Sequence, residues 1–268
     1  STIPSYSYGN KTGTSMSCPG IAGVMAQLYQ AYKDLNGGVN PPSDLMKCIL
    51  LNSADDIGNP GPDFKHGWGE VNAYRAVKLL ENGNYLTDSI IHGSVNSHII
   101  DIPNGVSQVK IMTYWHDKEA NTSSLIALVN DINSSLDYLP LGVNYNPLVL
   151  DPTPNQSALN SVAVPGTDSL NNMEQIVVVN PIQGNYTLNI NGFSIPYGPQ
   201  KYSVTYEFIT DDIELTYPIG GEGFVPSETE ILRWDASEGT TSFTLEYSTD
   251  GGSIWNPITT NVNSDYRY

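Results

Sequence analysis

A serine lies at the start of a predicted helix near the N-terminus, in the stretch Gly13-Thr14-Ser15-Met16-Ser17-Cys18-Pro19. Thr14 is a good N-cap residue, Pro19 suits the first turn or so, and Gly37-Gly38 are typical of a helix end. Backbone N–H groups at a helix N-terminus point outward and favour negative charge, so an oxyanion forming beside Ser15 would be stabilised, as acyl transfer requires. The alternative is that Ser15 only caps the helix, which is a common role for serine.

This stretch resembles the serine motif of the subtilisin-like serine proteases (subtilases), which usually reads Gly-Thr-Ser-Met-Ala-x-Pro. Two more segments follow in the order found in that family: Ser53-Ala54-Asp55 after a second helix, and Gly67-Trp68-Gly69-Glu70-Val71-Asn72-Ala73 before a third. The resemblance covers roughly residues 1–82. It implies the end of an α/β catalytic domain in which Ser15 is the catalytic nucleophile.

In subtilases the catalytic Asp and His precede the Ser along the chain. The resemblance therefore implies that the Asp, the His and the oxyanion-hole Asn lie upstream of Ser1. In subtilisin, removing the base costs about 10⁶ in turnover and removing that Asn about 10²–10³. We therefore expect a serine-type endopeptidase acting on peptide or protein substrates in the complete protein, and an inactive isolated chain. His66 and His116 are expected to be structural.

The three predicted helices have apolar faces that need a covering surface. Asn40 is expected to cap the second helix with Pro41 at its first position, and Asn72 to cap the third, which ends at Gly83. Without a sheet these helices would expose a large apolar patch, so we expect the N-terminal part of the same protease to cover residues 1–82. Residues 1–12 are predicted to be a loop, in which Ser5–Asn10 either border the substrate cleft or form ordinary surface.

Two cysteines, Cys18 and Cys48, each fall in a predicted helix among apolar neighbours. Two buried free thiols are the favoured interpretation, because free cysteine packs as a small hydrophobe. A disulfide between them, in an oxidising compartment, is the alternative.

Composition narrows the class of protein. A formal net charge of -17 over 268 residues leaves no basic patch for nucleic acid or anionic membranes. Only 15% of residues are charged, which suits a loop-rich secreted or cell-surface β protein. No apolar run reaches about 18–20 residues, so no membrane span is predicted.

From about Asn84 the sequence alternates between apolar and polar residues, which indicates strands. Residues 83–210 are predicted to form an all-β jelly-roll sandwich, with an ordered loop inserted from Asp137 to Leu170. Residues 211–268 are predicted to form part of an immunoglobulin-like or fibronectin-III-like module with a hairpin turn at Asp250-Gly251-Gly252. The predicted strands of the sandwich are 98–102, 109–115, 126–129, 175–179, 186–190 and 202–208.

A second resemblance lies inside the sandwich. Trp115-His116-Asp117, Ala127-Leu128-Val129-Asn130-Asp131-Ile132-Asn133 and Asn171-Asn172-Met173-Glu174-Gln175 are similar to the jelly-roll domain that follows the catalytic domain in a subgroup of bacterial subtilases. Asn133 replaces the final Asp of that family's Leu-Val-Asn-Asp-Leu-Asp string. Such domains often bind calcium, a cation that prefers oxygen ligands. The candidate ligands are Asp117, Asn130, Asp131, Asp168 and Glu174, and the alternative is that these side chains cap turns.

The sequence as a whole is interpreted as the C-terminal part of a secreted subtilisin-like endopeptidase, an α/β remnant over residues 1–82 followed by two β domains. One alternative is a non-catalytic secreted binding or adhesion protein that carries a subtilase remnant. Another is a nicked protease in which this chain stays associated with a separate N-terminal chain.

Overall fold

A computed structural model describes residues 11–236 and 242–263 of the chain. The predicted cleft segment Ser5–Asn10 lies outside the described residues. The helices are α1 (Thr14–Leu35), α2 (Ser43–Asn52), α3 (Ala73–Glu81) and the short α4 (Gln156–Leu159), with a 3-10 turn at Leu139–Leu141. The strands are β1 (Tyr85–Ile90), β2 (Val95–Ile102), β3 (Val106–Tyr114), β4 (Asp131–Tyr138), β5 (Val143–Tyr145), β6 (Leu148–Val149), β7 (Val164–Pro165), β8 (Met173–Val179), β9 (Gly184–Ser194), β10 (Gln200–Thr210), β11 (Ile213–Tyr217), β12 (Arg233–Ala236), β13 (Ser242–Tyr247) and β14 (Asn256–Asn263).

Two of the predicted helix starts are wrong. α1 has Gly13, not Thr14, in the cap position, and the Gly13 carbonyl accepts hydrogen bonds from the backbone N–H groups of Met16 (2.9 Å) and Ser17 (3.2 Å). α2 has Pro42 in its cap position instead of Asn40. The predicted start of α2 is wrong because a residue that precedes proline disfavours the helical conformation. The helix therefore begins only after the second of two consecutive prolines.

The other predicted helix ends are confirmed. The Asn72 side chain caps α3 by accepting a hydrogen bond from the backbone N–H of Arg75 at 3.0 Å. After α1 the chain turns through Gly37 and Gly38, both at positive φ, and the Gly38 N–H reaches back to the Lys33 carbonyl at 2.7 Å. Glycine is suited to these two positions because it adopts positive φ without strain.

The centre of the chain is an antiparallel β-sandwich, as predicted at this level of detail. One four-stranded sheet has the order β1-β10-β3-β8 and the other β2-β9-β4-β5. Along β4 and β9 buried and less buried residues alternate, so one face of that sheet is covered. Side chains also link the two sheets: Asn96 donates to the Tyr202 hydroxyl at 3.0 Å, and Ser134 Oγ donates to Thr113 Oγ1 at 3.0 Å.

Two details of the predicted sandwich are wrong. Residues 126–129 form no strand, because the Asp117 carboxylate accepts the backbone N–H groups of Val129 and Asn130 and holds the segment as a loop. The insert predicted as a loop from Asp137 to Leu170 contains the end of β4 as well as β5, β6, α4 and β7. Short elements of two to four residues carry too little periodicity to be seen in sequence.

α2 packs across the outer face of the first sheet, which covers part of the apolar surface that a second polypeptide was expected to cover. Cys48 is fully buried against Met112 and Tyr114. Asn52, also fully buried, donates to the carbonyls of Lys110 (3.1 Å) and Thr205 (3.3 Å). β3 is therefore covered on both of its faces, by the second sheet on one side and by α2 on the other.

The cysteines differ from the expectation of two buried thiols. Cys48 is free and buried, and its thiol lies 3.3 Å from the Met112 carbonyl. Cys18 is free but exposed on α1. The predicted alternative, a disulfide between them, is not formed.

The chain separates into two compact units. The first comprises residues 1–104 and 108–208, so α1–α3 and the sandwich belong to one unit. The second comprises residues 105–107 and 209–268, where β11 pairs with β12 and β13 pairs with β14 around Trp234, Ala236 and Phe243. The predicted boundaries at residues 82 and 210, and the immunoglobulin-like identity of the last part, stay predictions. In the described part of the chain, no helix is both long and apolar enough to cross a membrane.

Candidate catalytic serine and buried carboxylate cluster

Ser15 lies in the first turn of α1 and is exposed. Gly13, two residues before it, adopts φ +152°. Among the described residues, no side-chain hydrogen bond caps the N-terminus of α1. The serine is therefore presented at the positive end of a 22-residue helix.

The four histidines of the chain all have partners away from Ser15. His66 Nδ1 lies 3.4 Å from Asp63 Oδ2, and His116 Nε2 lies 3.1 Å from Ser43 Oγ. His98 Nε2 lies 2.8 Å from the Tyr202 hydroxyl, and His92 Nδ1 accepts the Ile195 N–H at 3.2 Å. Among the described residues, none of these histidine hydrogen bonds reaches Ser15, so they place no catalytic base beside it.

The segment Gly67-Trp68-Gly69 closes a loop that fixes the start of α3. Asp55 and Glu70 form an antiparallel bridge with two backbone hydrogen bonds of 2.8 Å each. Gly69 adopts φ +117°, and a Cβ there would lie 2.0 Å from the Asp55 carbonyl oxygen, so only glycine fits. Asn72, the cap of α3, also donates to the Asp55 carboxylate at 3.1 Å. This motif is thus structural, and it holds α3 against α1 and α2.

A second set of functional side chains lies where β4 meets the edge of β8. Asp131 and Asn133 are alternate residues of β4 and so lie on one side of the strand. Glu174 of β8 is 2% exposed, and its Oε2 accepts the Ser134 N–H at 2.6 Å. Within the described residues, three buried oxygens here have no hydrogen-bond partner: Asp131 Oδ1, Asn133 Oδ1 and Glu174 Oε1.

The carboxylates of this cluster disfavour one another's charge. The pKa of Glu174 is raised to about 8, chiefly by burial and also by the charges of Asp168 and Asp131, against the lowering effect of the Ser134 hydrogen bonds. Burial, with the charges of Asp168 and Asp117, also raises the pKa of Asp131. Buried acceptors that lack donors and repel one another are costly, and a bound cation would remove that cost.

The other predicted ligands have partners that hold loops. Asp117 accepts the N–H groups of Lys118, Val129 and Asn130. The Asn130 amide donates to the Tyr197 carbonyl and to Gln200 and accepts the Tyr197 N–H, so both ends of it are used.

Asp168 is buried and accepts the N–H groups of Leu170 and Asn171 and the side chain of Asn171. Asn133, which the sequence analysis noted only as a replacement for Asp, lies on the same side of β4 as Asp131, and its buried Oδ1 has no hydrogen-bond partner among the described residues. Its place in the string Asn-Asp-x-Asn, on the same strand face as Asp131, was the signal that could have identified it. Among the described residues, no three His, Cys, Asp or Glu side chains are grouped closely enough to hold a metal ion by themselves. A site here would therefore also need neutral oxygen ligands, and the Asn133 amide oxygen is of a type that calcium sites include.

The N-terminal part of the chain is similar to a known protein family. Residues 1–69 match the subtilase family model. An extracellular serine protease from Serratia marcescens is 37% identical over 70 residues, which are 26% of this chain and 6% of that protein. The neisserial autotransporter lipoprotein NalP from Neisseria meningitidis serogroup B is 38% identical over 65 residues, 24% of this chain and 6% of NalP.

A further relative, serotype-specific antigen 1 from Mannheimia haemolytica, is 31% identical over 97 residues, 35% of this chain and 9% of that protein. A solved structure from Sulfurospirillum deleyianum covers 47% of this chain and 97% of its own, at 10% identity and a TM-score of 0.26, which is too low to compare folds. The matched segments make up less than a tenth of the length of the Serratia, Neisseria and Mannheimia relatives.

These matches confirm the resemblance that the serine motif indicated. Residues 1–69 are similar to the subtilase family, and the relatives of this segment include a protein named as an extracellular serine protease.

Proposed function

We propose that this chain supplies the nucleophile and the β domains of a secreted subtilisin-like serine endopeptidase. The observation that carries the proposal is Ser15, exposed at the N-terminus of α1 within the segment that matches the subtilase family. Its relatives named as an extracellular serine protease and an autotransporter lipoprotein support a secreted or cell-surface location.

In the complete enzyme, Ser15 Oγ attacks the scissile peptide carbonyl and an acyl-enzyme forms on it. An upstream His takes the serine proton and returns it to the leaving amine, and an upstream Asp orients that His. The Ser15 backbone N–H at the start of α1 and an upstream Asn stabilise the oxyanion. Because no histidine of the described residues contacts Ser15, this chain alone would hydrolyse peptides at a negligible rate.

The exposed half of α1 supports an N-terminal partner. Every residue from Lys11 to Gly20 is exposed, including Met16 at 49% of its surface, whereas the second half of α1 packs on α2 and α3 through Leu28. Because only half of this long helix is covered, we expect another segment to cover the exposed half. The upstream part of the same protease is the occupant that we propose.

A fluorophosphonate probe tests the peptidase proposal, with the site of labelling located by peptide mass spectrometry. We expect label on Ser15 in the full-length enzyme, no label in Ser15→Ala, and unchanged labelling in the matched variant Ser17→Ala. The isolated chain should remain unlabelled. Labelling of the full-length enzyme at another serine, with Ser15→Ala still active on a peptide substrate, would refute the proposal.

We also propose that the cluster of Asp131, Asn133 and Glu174 binds calcium, with Asp168 beside it. The support is the three buried oxygens that lack donors, since calcium takes six to eight oxygen ligands. Calcium bound there would neutralise the repelling carboxylates and join β4 to β8 at the edge of the sandwich. Asp117 and Asn130, both engaged in loop hydrogen bonds, would then shape the loop that leads into β4.

Calorimetric titration and thermal melting test the calcium proposal independently of activity. Saturating calcium at about 100 times Kd would stabilise the first unit by about 2.7 kcal/mol. We expect Asn133→Ala to abolish this shift, whereas Asn191→Ala, its cross-strand neighbour on β9, should keep it. The proposed site would be refuted if the folded wild-type chain showed no heat of calcium binding and no calcium-dependent shift in melting temperature.

The strand order supports the finer assignment of the sandwich. When the short pair β6–β7 is set aside, each sheet has four strands, and neighbours in space come from distant parts of the chain, as in a double Greek key. We therefore infer a jelly roll for the sandwich. The immunoglobulin-like identity of the second unit rests on its paired strands and its small core of Trp234 and Phe243.

A further inference from the structure

The outer face of the sheet β2-β9-β4-β5 carries an unusual set of side chains. Asp131 and Asn133 lie on the outward side of β4, but their Oδ1 atoms are buried. The other outward positions are filled mainly by amides, hydroxyls and two carboxylates, and none of them is Lys, Arg or Glu, the residues that usually cover such a surface. They are Val95, Ser97, Ile99 and Asp101 on β2, Asn185, Thr187, Asn189 and Asn191 on β9, Ser135 and Asp137 on β4, and Asn144 on β5.

Four of these side chains form a continuous hydrogen-bonded row, which we call the amide row: Ser97, Asn189, Asp137 and Asn144. Ser97 Oγ donates to Asn189 Oδ1 at 2.7 Å, and Asn189 Nδ2 donates to Asp137 Oδ2 at 2.8 Å. Asn144 Nδ2 donates to Asp137 Oδ1 at 2.7 Å. The row crosses all four strands and fixes each side chain in one orientation before any ligand arrives.

The amide row keeps unused donors and acceptors on its exposed side. The Asn189 and Asn144 amides each have a second N–H, and the Asp137 carboxylate has lone pairs beyond the two that its partners use. Amide and carboxylate groups held side by side suit a ligand that offers hydroxyl groups as both donors and acceptors. Contact with water alone would not require these groups to be aligned.

Exposed apolar side chains flank the row. Phe193 on β9 is 60% exposed, and Ile99 on β2 is 63% exposed. Phe193 lies four residues beyond Asn189, about 13 Å along the strand. An aromatic ring beside a hydroxyl-binding row suits the C–H face of a sugar, and the separation suits a chain of several sugars.

We infer that this face binds a neutral oligosaccharide, with the amide row holding hydroxyl groups and Phe193 packing on a sugar ring. The absence of Lys and Arg from these outward positions argues against phosphate, uronate or sialate groups, which need positive side chains as partners. A protein partner is less well supported, because protein interface cores are apolar and aromatic, and here the centre of the face is polar. The inference goes beyond the peptidase proposal, since it concerns the opposite side of the sandwich from α2.

Titration calorimetry of the full chain against cellohexaose, maltohexaose, xylohexaose and chitohexaose tests this inference. We expect at least one to bind, with the same affinity at 50 mM and 500 mM salt. Asn189→Ala and Phe193→Ala should each weaken binding tenfold or more. The matched control Asn185→Ala, on the same strand and outside the row, should stay within twofold of wild type.

Far-UV circular dichroism confirms that each variant is folded, and Asn144→Ala at the exposed end of the row is the second variant if Asn189→Ala does not fold. Three results would overturn the inference: no heat with any of the four sugars at millimolar concentration, binding that the row variants leave unchanged, or binding that high salt removes. Because no step of the experiment depends on Ser15, its failure would leave the peptidase proposal standing.

Discussion

Gly69→Ala is expected to destabilise the first unit far more than Gly67→Ala, although the two glycines flank the same tryptophan. Gly69 has φ +117°, and its added Cβ would lie 2.0 Å from the Asp55 carbonyl oxygen and 2.7 Å from the carbonyl carbon. Gly67 has φ +66°, and its added Cβ would meet nothing within 4 Å. The matched pair therefore separates the steric contact from the cost of positive φ alone.

The expected loss in the free energy of unfolding follows from the Asp55–Glu70 bridge, which the added Cβ would break. A side chain at positive φ costs about 1–2 kcal/mol. At Gly69 the two backbone hydrogen bonds between Asp55 and Glu70 would also be lost, at about 1 kcal/mol each. We expect Gly69→Ala to lower the free energy of unfolding by about 3–4 kcal/mol and Gly67→Ala by about 1–2 kcal/mol.

Urea unfolding followed by far-UV circular dichroism measures both values under one buffer condition. Trp68 fluorescence reports the local change, because Trp68 packs against the cluster of Cys48, Met112 and Tyr114. Equal losses for the two variants would refute the reasoning, since it would mean that the Asp55 contact carries no energy. So would a Gly69→Ala variant as stable as wild type.

Three further predictions concern buried groups. Iodoacetamide at pH 8 should alkylate Cys18 and spare Cys48 until urea is added, because burial raises the pKa of the Cys48 thiol to about 12; native labelling of both at one rate would contradict this. Without calcium, the free energy of unfolding should fall as pH rises from about 4.5 to 8, because the pKa of Glu174 is raised by burial in the folded chain, so the folded state holds the proton more tightly. Urea titrations in EGTA should show this slope, Glu174→Gln should flatten it, and an unchanged slope in that variant would assign it to other groups. Asn52→Ala should lower the free energy of unfolding by about 2–4 kcal/mol, because it removes three buried hydrogen bonds; a loss under about 0.5 kcal/mol would contradict the role of Asn52 in joining α2 to the sandwich.

The resemblance to subtilases and the types of secondary-structure element could be predicted from local sequence patterns. The serine motif indicated the resemblance to subtilases because it is a short contiguous sequence at the start of a helix. Such a sequence can be recognised without a structure. The cap at Asn72 and the glycines after α1 were also visible, since each acts on backbone groups three to five residues away. The change from helical to alternating periodicity located the β-sandwich for the same reason.

Only part of the proposed calcium cluster could be predicted from the sequence. Asp131 and Glu174 were named from residue type, but the choice between Asn130 and Asn133 depends on which side of β4 each one faces. Asn130 precedes the strand, and its amide is taken up by Tyr197 and Gln200, residues some 70 positions away. No local pattern contains those partners.

The surfaces that cover the helices, and the face of the sandwich that no helix covers, could be identified only from the folded structure. α2 was expected to need an outside partner, yet β3, β8 and β10 cover it through contacts such as Asn52 with Thr205. The amide row likewise exists only because the register of β2, β9, β4 and β5 aligns Ser97, Asn189 and Asp137. Pairings between strands far apart in sequence depend on global packing, so the sequence supplied these residues but the fold alone brought them together.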